Sequence, residues 1–151
     1  MIRNATHEDV NRMVELGALM HAESKFRAYS FDPWKLAATI GALIDGEDGI
    51  AIVAEEDGEI VGGFIGFLSE HYFGRDKASY DLALFLQPEH RVGTLAMRLI
   101  RAYIKVAKEK GASEVVIANS TGVAKERVAR LFEHAGFKHD GFVFSMNVKE
   151  A

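Results

Sequence analysis

Apolar and polar positions along this chain fall into two periods, one near 3.6 residues and one of 2, which succeed each other in a definite order. Ile2 to Ala5 reads as a short strand, and Thr6 with Asp9 forms a helix-start pattern. Val10, Met13, Val14, Gly17 and Met20 then keep helical spacing to about His21. Asp32-Pro33 opens a second helix, striped by Leu36, Ile40, Leu43 and Ile44 and closed by Asp45-Gly46. Ile50 to Ala54 and Ile60 to Leu68 flank Asp57-Gly58, a strong hairpin turn, and Ser79 to Leu86 is a further strand. Gly62, Gly63 and Gly66 suggest that another backbone or a ligand comes close to the second hairpin strand. Leu95, Leu99, Ala102 and Val106 stripe a third helix ending at Gly111, and Val115 to Ala118 is expected as a buried strand. Lys125 to Ala135 is a fourth helix stopped by Gly136, and Phe142, Phe144, Met146 and Val148 alternate as a last strand.

The order β-α-α-β-β-β-α-β-α-β implies one mixed α/β domain over residues 1–151. Its central sheet is mostly antiparallel, becomes parallel around the third helix, and is flanked by four helices. A chain of 151 residues suffices for one substantial core. The net charge of -4 argues against a nucleic-acid binder, while a cationic amine remains an acceptable partner. With no cysteine, disulfides, thiolate catalysis and Cys-ligated metals drop out. The histidines lack ligand spacing, and His134 and His139 lie across a helix end, so no metal is expected. No apolar run has the length of a membrane span, and Met1 to Thr6 lacks the apolar core of a signal peptide; a cytoplasmic setting is expected.

The most informative stretch is Gln87-Pro88-Glu89-His90-Arg91-Val92-Gly93-Thr94-Leu95-Ala96, a loop from a strand into an amphipathic helix. Such a loop leaves backbone N–H groups unpaired at the positive end of the helix dipole, which suits a phosphate. Arg91-Val92-Gly93-Thr94-Leu95-Ala96 resembles the pyrophosphate loop Gln/Arg-x-x-Gly-x-Gly/Ala of the GNAT superfamily of acyl-CoA-dependent N-acetyltransferases. Thr94 stands where that motif has its central glycine. Leu131-Phe132-Glu133-His134-Ala135-Gly136-Phe137 is similar to the family's Leu-Tyr-x-x-x-Gly-Phe, and the element order is the family's order. Met20-His21-Ala22-Glu23-Ser24 and Phe31-Asp32-Pro33 also resemble small members carried by tailed bacteriophages, which would put the protein in the host cytoplasm.

The resemblance implies acetyl-CoA as co-substrate and a primary amine, on a small molecule, a protein lysine or an N-terminus, as acceptor. It implies cofactor contacts from Phe85, Leu86, Gln87, Arg91, Val92, Gly93, Thr94, Leu95, Ala96 and Asn119. It also implies a Leu86 N–H placed to hold the thioester oxygen. It allows a homodimer, and it needs neither nucleic acid nor membrane. Direct attack by an amine requires no enzyme nucleophile, only removal of a proton. The candidates for that step are Glu70, His71 and Asp81, while His21 and Glu23 are candidates to face the amine.

Strict alternation would put Asp81 and Phe85 on one face and Leu86 on the other, with Asp81 about 13–17 Å from Phe85 and Leu86. Glu70 and His71 rank above it on the condition that the hairpin brings them level with Leu84. Phe132 occupies the place where the family often has a proton-donating tyrosine. Tyr80, Tyr103 or Ser120 are the substitutes, unless the thiolate leaves unaided. A second class of function fits the same residues: a non-catalytic phage structural or host-protein-binding component.

Overall fold

The computed structural model describes residues 1–119 and 121–150. Within them, one sheet runs in the order β1-β2-β3-β4-β5, from β1 (Ile2–Asn4) and β2 (Gly49–Glu56) through β3 (Glu59–Glu70) and β4 (Lys77–Leu86) to β5 (Ala112–Val116). The first three pairings are antiparallel and β4–β5 is parallel, as the element order implies. Helices α1 (Val10–Glu23) and α2 (Pro33–Asp45) cover one face; α3 (Leu95–Glu109) covers the other, with α4 (Lys125–His134) beside it.

Local chemistry accounts for most boundaries. Asp32 caps α2 by accepting from the Trp34 and Lys35 N–H groups, with Pro33 in the first turn. Asp57 and Gly58 both take positive φ, at 50° and 81°, as the tight β2–β3 hairpin requires. Asp9 accepts from the Thr6 N–H at 2.8 Å and from both terminal nitrogens of Arg3, which ties the start of α1 to β1.

The face under α1 and α2 is packed by Val53, Ile65 and Phe85 against Met13, Leu16 and Ile40. The opposite face buries Ile52, Phe64, Leu99, Ile100 and Tyr103. Gly62, Gly63 and Gly66 serve this packing. The close approach to them comes from the Leu86 side chain, the Phe85 ring and the Tyr103 hydroxyl.

Three expectations change. The fifth strand starts at Ala112, ends at Val116 and is half exposed, because only β4 flanks it. Between Ile65 and Gly66 the β3–β4 ladder skips Leu82, a bulge that reverses the side-chain alternation of β4. Phe85 therefore faces α1 and α2, whereas Asp81 pairs with Gly66 on the Tyr103 side, so the two do not share a face. Finally, residues 142–148 form no strand. Phe142 and Phe144 are 78% and 89% exposed, since alternation becomes a strand only where a sheet edge is there to pair with it.

Candidate active site at the β4–β5 fork

Parallel pairing of β4 with β5 ends at Tyr80 and Val116, so among the described residues Asp81 to Leu86 have no strand on that side. The bulge at Leu82 lies where the two strands part. The Gln87 N–H donates to the Val61 carbonyl at 2.8 Å, so alternate residues Phe85 and Ala83 also turn their backbone groups to β3. Leu84 and Leu86 consequently aim their N–H and C=O groups into the fork. The Leu86 carbonyl accepts from Arg91 Nε at 3.1 Å from that side.

This separates the expected cofactor residues. Leu86 is on the open edge, joined by Leu84, which the sequence reading missed although alternation from Leu86 would have found it. Phe85 has its backbone paired with Gly63 and its ring under α1. Gln87 is tied by its backbone to Val61 and by its side-chain oxygen to Arg12 at 3.4 Å. Asn119 is exposed, and its side chain donates to the Lys125 carbonyl at 2.7 Å.

Beyond β4, Pro88–His90 makes one 3-10 turn and residues 91–94 bend into α3. Gly93 has φ +91°, a conformation that strains any side-chain-bearing residue, with open space where a Cβ would sit. Thr94, at φ -105°, takes an ordinary helical conformation, so the glycine requirement of this turn falls one residue before the motif's central position. Thr94 is exposed and its hydroxyl does not cap the helix. The first bond of α3 runs from the Arg98 N–H to the Thr94 carbonyl, and the amides of Val92 to Met97 have no acceptor among the described residues.

Arg91 and Glu23 do meet, but as partners of each other. The guanidinium grips both carboxylate oxygens of Glu23, linking the end of α1 to the loop. The Lys25 N–H donates to the Thr121 carbonyl at 2.9 Å, and Arg127 to the Arg91 carbonyl at 3.1 Å, which completes this seam.

The proposed bases are scattered. Glu70 pairs with Lys77 whereas Phe64 pairs with Leu84, so the hairpin does not bring Glu70 or His71 level with Leu84. Six residues of strand put Glu70 roughly 20 Å away. Glu70 contacts Arg75 at 3.4 Å, and His71 stacks on Tyr72 and Phe73 in the exposed loop beyond. Asp81 sits at the base of the fork, accepting from the Ala118 N–H at 3.0 Å. Burial pushes its carboxyl above the usual range, against the pull of that hydrogen bond and of its own N–H.

Among the substitute proton donors, Tyr103 is fully buried, bonded to Ser79 Oγ at 2.7 Å and stacked on Phe64, and burial pushes its phenol up to about 12. Tyr80 is half-buried beside Phe67, and Ser120 lies outside the described residues. Phe132 packs edge-on against Phe137.

Asp81 carries a testable pH dependence. Its native carboxyl holds a proton to higher pH than the unfolded group, which titrates near ~3.9. The native state therefore binds more protons in that window, and this group's contribution to stability falls as pH rises above about 4. Asp81→Asn keeps an oxygen for the Ala118 N–H and removes the charge. Urea denaturation between pH 4 and pH 7 should show a more positive stability-versus-pH slope in the variant; an unchanged slope would mean that Asp81 titrates normally.

The sequence of residues 16–137 matches the model of the Acetyltransferase (GNAT) family, well over half of the chain. The chain belongs to that family. No curated protein sequence matches it. Solved structures match its fold at low identity. An aminoglycoside acetyltransferase from an uncultured soil metagenomic sample has 20% identity and a TM-score of 0.74, covering 98% of this chain and 97% of that one. Glucosamine-6-phosphate N-acetyltransferase from Arabidopsis thaliana has 16% identity and a TM-score of 0.75, with coverages of 98% and 97%. Ribosomal-protein-alanine N-acetyltransferase from Brucella melitensis has 19% identity and a TM-score of 0.73, covering 97% of each chain. The GNAT assignment agrees with the observed sheet and helix order. Among the described residues no helix is long and apolar enough to cross a membrane.

Proposed function

We propose that this GNAT protein transfers an acetyl group from acetyl-CoA to a primary amine, which attacks the thioester directly. The observation that carries this reading is the continuity of the open β4 edge with the unpaired amides at the start of α3. Val92 to Ala96 would hold the pyrophosphate, with Gly93 leaving room for it and the Thr94 hydroxyl free to donate. The backbone groups of Leu84 and Leu86 would pair with the pantetheine arm, and the Leu86 N–H would stabilise charge growing on the thioester oxygen. Asn119 and Arg91 flank this path, the latter once it shifts from Glu23 toward the phosphates. Acetyl-CoA supplies the activated acyl group.

Glu70, His71 and Asp81 lack a direct route to the amine, so an ordered water is the proton acceptor this arrangement favours. With a partly buried phenylalanine, Phe132, packed against Phe137 and no phenol at that place, the thiolate leaves without protonation from α4. A cytoplasmic setting suits use of acetyl-CoA.

The same phenylalanine is the observation that favours a second reading, a GNAT-fold binding protein without turnover; a phage origin rests on residues 20–24 and 31–33 alone. Calorimetry with CoA tests the main reading. Wild type should bind, and Arg91→Ala should bind about tenfold more weakly through loss of a charged hydrogen-bond donor. Undetectable binding by wild type ends the reading. Binding without CoA release across a broad amine panel favours the second.

A further inference from the structure

An apolar pocket of about 180 Å³ opens between α1, the chain leading to α2, and the β3–β4 face. Met13, Met20, Phe26, Phe31, Leu36 and Phe85 supply most of its wall. None of the side chains lining it is a carboxylate. The acidic residues that would suit a polycation are elsewhere: Glu23 is engaged by Arg91, Glu70 is at the far end of β3, and Asp81 is on the opposite face.

We propose that this pocket receives an apolar substituent of the acceptor, so that the substrates are amines bearing an aryl or branched alkyl group rather than polyamines or aminoglycosides. The inference rests on the acetyl-transfer reading and names its acceptor class. Size agrees, since a dry cavity of roughly 150 Å³ lined by similar side chains is enough for benzene. Position agrees as well. Ala83 and Phe85 form part of the wall, and they belong to the stretch of β4 whose free edge carries Leu84 and Leu86. A group seated in the pocket therefore holds its amine against the strand that borders the fork.

The polar feature of the wall is His21. Its Nε2 lies 2.8 Å from the Tyr29 carbonyl, and its ring stands 5.2 Å from that of Phe31. A carbonyl only accepts, so Nε2 donates to it, and Nδ1 is the ring atom left to accept from an ammonium or amine N–H when the ring is neutral. A polycation would gain one such partner and would strip water from its other charges against thioether and aromatic groups, which is unfavourable.

Calorimetry with 2-phenylethylamine, ethylamine and spermidine, each titrated with and without CoA, tests this. Burial of the phenyl ring should make 2-phenylethylamine bind about 30-fold or more tightly than ethylamine. Met20→Trp, which fills the pocket, should abolish that preference and keep CoA binding; Phe31→Ala, which removes part of the wall, should weaken 2-phenylethylamine about tenfold. Equal or tighter binding of ethylamine or spermidine overturns the inference, as does a preference that survives both substitutions. The phenyl preference without any CoA binding would instead sink the acetyl-transfer reading and leave an apolar amine site. CoA binding without the preference would sink this inference alone.

Discussion

Gly93→Glu is expected to weaken CoA binding by at least about 100-fold, equivalent to about 2.8 kcal/mol, in a protein that remains folded. Two effects combine. At φ +91° any side-chain-bearing residue is strained, at a cost of about 1–2 kcal/mol, so the loop is driven to another conformation and its amides disperse. The new carboxylate also sits beside the N-terminus of α3, where it occupies the amides proposed for phosphate and repels the phosphate charge. Among the described residues nothing lies within 4 Å of the Cβ position, so packing is untouched and the loss should appear in binding rather than in expression or secondary structure. Gly93→Ala separates the two effects, since it carries the backbone strain without the charge and should lose clearly less affinity. Wild-type affinity in the glutamate variant would remove the loop from the cofactor site.

Gly66→Ala should destabilise the fold by about 3 kcal/mol, the upper end for a single added methyl group in a packed interior. A Cβ there would lie 2.0 Å from the Tyr103 hydroxyl and 2.5 Å from the Tyr80 carbonyl, and the second of these is backbone within the β3–β4 ladder. Tyr103 cannot swing aside. It is 0% exposed, stacked on Phe64 at 4.0 Å, and its hydroxyl bridges Ser79 Oγ and the Tyr80 carbonyl. Tyr103→Phe alone should cost about 1–2 kcal/mol by leaving the buried Ser79 hydroxyl without a partner. In that background the added methyl meets one obstacle fewer, so urea denaturation should give a smaller cost for Gly66→Ala by about 1 kcal/mol or more. A strictly additive pair would mean that the strand shifts instead and that the hydroxyl does not set the spacing. The consequence reaches function, because Tyr103 packs on the part of β4 from which the fork opens.

The amino-acid sequence by itself determined the succession of elements from β1 to α4, the family and the location of the loop before α3. Each depends on neighbours within a few residues: Asp32-Pro33 at a helix start, Asp57-Gly58 at a turn, Gly111 and Gly136 at helix ends, and apolar stripes that must be buried. Tertiary structure decided what those elements bring together. One extra residue at Leu82 reverses which side of the sheet Asp81 occupies, and periodicity assumes no such residue. Pairing of Glu70 with Lys77 takes Glu70 and His71 away from the fork, and that register follows from which apolar side chains pack under the helices. Glu23 and Arg91, distant in sequence and assigned separate tasks, neutralise each other because the end of α1 meets the loop. The alternation of Phe142 to Val148 satisfies the local rule for a strand, yet a strand also needs a neighbour to complete its hydrogen bonds. The apolar pocket beside α1 was illegible for the same reason. Met13 reads as one position of a helical stripe and Phe85 as a cofactor contact, and only the spacing of α1 and α2 over the sheet leaves a volume between them.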